Sequence, residues 1–218
     1  MDEVYGPLVI NLDNRKDRLD SITKEFNILG LNFRRIPASN GNGNGSLGCL
    51  ESHCICLEEF LQSDKNAVMI CEDDSVFKCT PAELNHHIEE FLSDNAQVLC
   101  LGFLARTYEQ YSQSFLRSKQ IQTTSCYIVK RSTAIKLLTL WKKVRDLMQI
   151  NGHATSENWY SKEFNSIPGL HVVWNIYCVD QAWKIIQQDT IFVIPKTHLV
   201  VQGKSYSDIE HRVVNYEI

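Results

Sequence analysis

No stretch of this chain approaches the roughly 18 uninterrupted apolar residues that a membrane-spanning helix needs. Its first residues, Met1-Asp2-Glu3-Val4-Tyr5-Gly6, lack a basic region followed by an apolar run. No secretory signal is therefore expected, and the chain reads as cytoplasmic, of bacterial or viral type. An excess of positive charge is lacking too. The 22 Lys and Arg are outnumbered by 26 Asp and Glu, for a formal net charge of -4. That argues against a nucleic-acid partner, whose footprint is a basic patch, but not against a small phosphorylated ligand. No glycine-rich phosphate loop and no dinucleotide fingerprint occurs. The eight cysteines include no C-x-x-C and no Cys/His spacing of a structural zinc site. Several of them lie inside apolar runs, so buried free thiols are expected rather than disulfides.

What is present is a chain of 218 residues, 44% hydrophobic and 10% aromatic, enough for a well-packed core. Its most informative run is Ala67-Val-Met-Ile-Cys-Glu-Asp-Asp-Ser75. The apolar part reads as a strand buried on both faces. Glu72, Asp73 and Asp74 follow where that strand emerges. Carboxylates this close repel by roughly 1 kcal/mol per pair in water and more inside a protein. A divalent cation relieves that repulsion, and hard oxygen donors select Mg²⁺ or Mn²⁺. Ligands of open α/β sheets bind beyond the carboxyl ends of the strands. The alternative is a solvated acidic turn.

The surrounding pattern is α/β. Leu8 to Leu12 reads as a strand. Leu19, Ile22, Phe26 and Leu29 follow helical spacing, closed by Gly30, and Asn32 to Ile36 reads as a second strand. Asn40-Gly-Asn-Gly-Asn-Gly45 is expected as a solvated loop, with a mobile lid as the functional alternative. A helix is expected from near Gly48 to Leu61. Thr80-Pro81-Ala82-Glu83 is a helix start with a capping box. Strands are expected over Gln97 to Leu101, Ser125 to Val129 and Ile191 to Ile194, with helices over Ser132 to Met148 and Asp180 to Gln187. Long polar stretches at 106–119 and 151–166 are expected as irregular. With no linker and no repeat, one α/β domain is the reading, its mixed, mostly parallel sheet flanked by helices.

Further residues carry candidate chemistry. Arg15 and Arg18 lie three apart on the opening turn after the first strand, where a nucleotide commonly binds in a doubly wound sheet. Guanidinium groups suit a pyrophosphate or a uracil carbonyl; the plain alternative is pairing with Asp13 or Asp17. His53, beside Ser52, is either a half-buried core histidine or a cleft residue. Asp180 is either a helix cap or a general base. His198 and Gln202 are candidates to complete a metal shell from the end of the chain.

Together these pieces resemble glycosyltransferase family 25. The motifs are Ile10-Asn-Leu-Asp-Asn-Arg-Lys-Asp-Arg18, Gly48-Cys-Leu-Glu-Ser-His53, Met69-Ile-Cys-Glu-Asp-Asp74, Thr124-Ser-Cys-Tyr-Ile-Val129, Val179-Asp180 and Ser207-Asp-Ile209, in the family's order. The resemblance implies a single GT-A-like domain over 1–218, with 1–105 the nucleotide-binding half and 106–218 the acceptor-side half. It implies a UDP-sugar donor carrying galactose or glucose, Mn²⁺ or Mg²⁺, and inversion at the anomeric carbon. The acceptor would be a glycan, a lipid-linked sugar or a hydroxylysine. Asp74 would ligate the metal, Glu72 would reach the ribose or the metal, and Asp180 would act as base. Asn11, Leu12, Arg15, Arg18, Ser52, His53, Glu72 and Asp73 would contact the donor. The Asn-Gly repeat departs from the short acidic turn common in the family. A metal-dependent nucleotidyltransferase and a non-catalytic nucleotide-sugar-binding module are the rival classes.

Overall fold

The computed structural model describes residues 3–151, 176–207 and 212–214. Its centre is an eight-stranded sheet in the order β2-β1-β3-β8-β5-β9-β7-β6. These strands are β1 (Val4–Asn11), β2 (Arg34–Pro37), β3 (Ala67–Glu72), β5 (Val98–Leu104), β6 (Glu109–Gln110), β7 (Phe115–Arg117), β8 (Gln122–Lys130) and β9 (Phe192–Pro195). Two small antiparallel pairs lie beside it. β10 (Val200–Gln202) pairs with β4 (Ser75–Phe77), and β11 (Ser205–Ser207) pairs with β12 (Arg212–Val214).

The mixed α/β architecture follows the expectation, with one refinement. β1, β2, β3, β5, β6 and β9 run one way, and β7 and β8 run against them. The sheet is thus mostly parallel in strand direction but not in pairing. Reversed β8 lies between β3 and β5, so both of those contacts are antiparallel.

Side-chain alternation assigns the two faces. In β3, Val68 and Ile70 join the core beneath α2 (Gly45–Leu61), α4 (Arg131–Asn151) and α5 (Val179–Ala182). Ala67, Met69 and Cys71 join the opposite core under α1 (Lys16–Leu29) and α3 (Pro81–Ser93). Burial on both faces explains why β3 reads as one continuous apolar run. The capping box of α3 is present: Glu83 N–H donates to Thr80 Oγ1 at 3.3 Å, and Thr80 N–H donates to Glu83 Oε2 at 2.8 Å. Gly30 closes α1 in the left-handed conformation, φ 67°. The helix expected over Asp180 to Gln187 is two single turns, α5 and α6 (Lys184–Gln187), separated at Trp183. The stretch 106–119, expected as irregular, supplies the edge strands β6 and β7. Most of 151–166 and the segment Asp208-Ile209 lie outside the described residues.

The Asn-Gly segment packs at one end only: Gly41 is buried against α2, while Asn42 and Gly43 stay exposed to solvent. Gly41–Gly43 form a 3-10 turn, and Asn44 caps α2 by accepting from Leu47 N–H at 3.2 Å. This cap starts α2 at Gly45, three residues before the expected Gly48. Gly41 has φ +55°, and its backbone lies against Gly48. A Cβ at Gly48 would stand 2.4 Å from Ser39 O and 3.0 Å from Gly41 N. Both obstacles are backbone atoms, so they cannot swing aside. Gly48→Ala is expected to cost about 1–3 kcal/mol as an overpacked contact. Thermal unfolding should read this as a Tm lowered by several degrees; an unchanged Tm would show that the segment yields freely.

Candidate active site

A cleft of about 830 Å³ opens at the carboxyl ends of β1 and β3, where α/β sheets bind ligands. Ile10, Asn11 and Leu12 line it from the end of β1, and Glu72, Asp73 and Asp74 from the end of β3. Ser39, Gly48, Cys49, Ser52 and His53 form a wall from the Asn-Gly turn and α2. Arg18, Gln202 and Val214 also line it. All lining residues except Gln202 and Val214 precede Ser75 in the chain.

The three acids have different surroundings. Asp73 is a fixed strut. Its carboxylate accepts from Asn11 Nδ2 at 2.7 Å and from Arg18 Nη1 at 2.9 Å. Burial pushes its pKa up, against the opposing pull of Arg18 and Asn11. Asn11, almost fully buried, also donates to Arg15 O at 3.0 Å and accepts from Arg35 Nε at 2.9 Å. It therefore ties β1 to α1, β2 and the acid turn. Asn11→Leu removes these bonds and strips the buried Asp73 of one partner. A cost of about 1–3 kcal/mol is expected. Denaturant titration would check it, and unchanged stability would show that Arg18 alone satisfies Asp73.

Glu72 is held from two sides. His53 Nε2 lies 3.2 Å from Glu72 Oε1, and Thr124 Oγ1 donates to the same oxygen at 2.9 Å. Burial alone would raise its pKa, but the His53 and Thr124 hydrogen bonds and the Arg18 charge leave it lowered. His53 is fully buried, and its Nδ1 lies 3.0 Å from the Tyr127 hydroxyl.

Asp74 is the unsettled acid. Arg18 Nη1 is 3.5 Å from its Oδ2, but its buried Oδ1 has no hydrogen-bond partner. Burial first, then the charges of Glu72 and Asp73, raise its pKa to about 7 against Arg18 and a hydrogen bond from Gln202. A carboxylate with a buried orphan oxygen, beside two more acids and an amide, has the donor chemistry of a hard divalent-cation site. The residues present therefore fit Mn²⁺ or Mg²⁺.

The remaining candidates divide. Ser52, fully buried, donates to Gly48 O at 2.6 Å and accepts from Ser39 N–H, so it braces the wall. Arg15 does not line the cleft. It pairs with Asp17 at 3.1 Å and donates to Tyr206 O at 3.1 Å. Arg18 donates to the same carbonyl at 2.7 Å, clamping the β11–β12 pair onto α1. Gln202 reaches Asp74, but His198 does not join it. His198 stacks on Phe103 with ring centroids 4.2 Å apart and is not among the cleft-lining residues, while its buried Nδ1 has no hydrogen-bond partner. Asp180 is inside α5 rather than capping it; Cys178 holds the cap position. Its carboxylate accepts from Thr123 N–H at 3.2 Å and lies within electrostatic range of Glu72 and Cys49. It is not itself among the cleft-lining residues. Thr123 has φ 68°, a strained conformation for a β-branched residue of the kind that concentrates at functional sites.

Thr124 and Tyr127 behind Glu72 and His53, and Cys49, stand in the motifs quoted above but had no role assigned from sequence; Ser39 in the wall was not singled out. Cys49 had a usable signal. It precedes His53 by four residues on one helix, so both face the same way.

A family model described as glycosyltransferase family 25, LPS biosynthesis protein, matches residues 40–152, just over half of the chain. The chain belongs to this family. No curated protein sequence matches it. Among solved structures it is similar to a glycosyltransferase involved in the glycosylation of the major capsid of PBCV-1. Identity there is 17%, coverage 94% of each chain and TM-score 0.46. A protein from STIV shows 12% identity over 95% of this chain and 91% of that one, TM-score 0.45. An inositol-1-phosphate CTP transferase from T. maritima shows 16% identity over 96% and 71%, TM-score 0.38. Among the described residues no helix is long and apolar enough to cross a membrane.

Proposed function

We propose that the chain moves a hexose, galactose or glucose, from a UDP-sugar to an acceptor hydroxyl with inversion. A divalent cation, Mn²⁺ or Mg²⁺, would be held by Asp74 with Glu72 and Gln202. The observation that carries this reading is Asp74, a buried acid with an orphan oxygen that is anionic at neutral pH only at a cost. When bound there, the ion supplies positive charge against the diphosphate leaving group.

The chain's own residues do the rest. Asn11 and Leu12 present the end of β1 to the nucleotide, and Arg18 places a guanidinium between the acids and the cleft. The α2 wall at Gly48, Cys49 and His53 closes the side opposite β1 and limits water. Asp180 takes the acceptor's proton as its oxygen attacks the sugar carbon, a step worth about 10²–10⁴-fold. The acceptor class is a glycan, a lipid-linked sugar or a hydroxylysine.

The test is thermal unfolding with UDP-galactose and UDP-glucose, each with Mn²⁺ or with chelator. A donor at 100 times its Kd adds about 2.7 kcal/mol, which raises Tm by roughly 5–10 °C in a chain of this size. Stabilisation should need the metal, and turnover should release UDP. Pyrophosphate from a nucleoside triphosphate would show nucleotidyl transfer instead. Stabilisation without any turnover would show a binding module.

A further inference from the structure

The back wall of the cleft holds a second group with metal-ligand geometry, separate from the orphan oxygen of Asp74. Cys49 and His53 stand one turn apart on α2, and Glu72 faces them from the end of β3. Their ligand atoms, a sulfur, an imidazole nitrogen and a carboxylate oxygen, all lie within 4.8 Å of one another. Ligands on a tetrahedral zinc ion with bonds of 2.0–2.3 Å are spaced by roughly 3.5 Å. His53 Nε2 and Glu72 Oε1, 3.2 Å apart, are already near that spacing.

We propose that Cys49, His53 and Glu72 bind a borderline-soft divalent ion, zinc in class, with the fourth position open to the cleft. The donor set separates this site from Asp74. Thiolate and imidazole favour Zn²⁺, whereas all-oxygen donors suit Mg²⁺ and Mn²⁺. Outer contacts support it on both sides. The Tyr127 hydroxyl lies 3.0 Å from His53 Nδ1, and Thr124 Oγ1 holds Glu72 at 2.9 Å. Such partners orient ligands and fix the imidazole tautomer. All three ligands line the cleft, which leaves an entry path. Without a cation, burial and then the nearby charge of Glu72 hold the Cys49 thiol protonated, well above its ordinary range.

Proton balance follows from the contacts. An ion on Nε2 requires the neutral imidazole to carry its N–H on Nδ1, where it donates to Tyr127 Oη. Cys49 loses its thiol proton to solvent. One proton is released per ion bound. Glu72 is common to this site and to the cation set proposed around Asp74, but the cobalt band reads Cys49 and not Asp74, so the two readings are tested separately.

Cobalt is the probe, because thiolate ligation gives a sulfur-to-metal charge-transfer absorption in the near ultraviolet. Reduced, chelator-treated full chain should develop this band with one equivalent of Co²⁺, and zinc should bleach it. Cys49→Ser and Cys49→Ala should lose the band while keeping the parent Tm. Asp74→Asn and Cys178→Ser should retain it. Zinc added to weakly buffered protein near pH 7 should release about one proton per ion. A band that survives both Cys49 variants, or cobalt binding without any charge-transfer band, overturns the assignment.

Discussion

Asp74→Asn is expected to abolish metal-dependent transfer, a loss on the order of 10³-fold, and yet to make the metal-free protein more stable at pH 8. The two effects share one cause. The folded chain raises the Asp74 pKa from the ordinary 3.8 to about 7, chiefly through burial and the neighbouring Glu72 charge. A raised acid binds its proton more tightly when folded, so stability falls as pH climbs from about 4 to about 7 and stays reduced above that. Without a cation, the ionised carboxylate at pH 8 is a liability that asparagine removes. Asparagine keeps an oxygen for the hydrogen bond from Gln202 but gives up the 3.5 Å ion pair with Arg18. The net gain is on the order of 1–2 kcal/mol, or about 2–8 °C in Tm for a chain of this length. At pH 5, where Asp74 is protonated in the folded chain, the difference should shrink toward zero. Saturating Mn²⁺ should reverse the order, raising the parent Tm and leaving the variant nearly unmoved. Near-normal transfer by the variant would end the metal assignment.

Asp180→Asn should lower turnover by about 10²–10⁴-fold while UDP-sugar binding stays within a few-fold of the parent. The substitution is nearly isosteric, and its amide oxygen can still accept from Thr123 N–H. The wall around it should therefore hold. Charge and proton affinity are what change. Burial raises the Asp180 pKa, and Glu72 adds to that, against Thr123 N–H and Lys184. A carboxylate with raised proton affinity is a better base near neutrality than an ordinary one. Its raised pKa should also place the acidic limb of the parent pH–rate profile above the usual carboxylate range. Donor titration of the variant separates the roles: loss of binding along with turnover would make Asp180 a donor-positioning residue.

The sequence exposed this site where chemistry and periodicity coincide on contiguous residues. β3 ends in three acids, and α1 and α3 are bounded by local signals, Gly30 and the Thr80–Glu83 box. Differences among the three acids were harder to see, because they are set from afar. Asp73 is defined by Asn11, 62 positions away, and Glu72 by Thr124, 52 positions away. His198 was legible only in part, for the complementary reason. Its residue type suits a metal, but its neighbour is an aromatic ring on β5. The Asn-Gly segment misled at one end because its composition suits a solvated loop. Glycines also permit the close backbone approach between Gly41 and Gly48, and composition does not tell the two uses apart. The short strands β4, β6, β7, β10, β11 and β12 are two or three residues long, below the length at which alternation can be detected.

The reversed direction of β8 has a consequence for the order of assembly. An antiparallel strand brings its own beginning to the end of its neighbour, which is why Thr124 meets Glu72. β1 pairs with β3 in parallel, Val9 opposite Cys71. β8 is inserted between β3 and β5, its Cys126 opposite Cys71 across 55 residues of chain. Both pairings are non-local, the kind that closes slowly. At its far end Arg131 latches the α2–β3 connection by donating to the carbonyls of Ser63 and Lys65. Until that insertion is complete, Glu72 has no Thr124, His53 has no Tyr127, and Asp180 has no Thr123 amide to hold it. Chains that fold only as far as β3 would carry the acids without the alignment. Transfer activity should therefore return only with the phase of refolding that docks β8 and buries Tyr127.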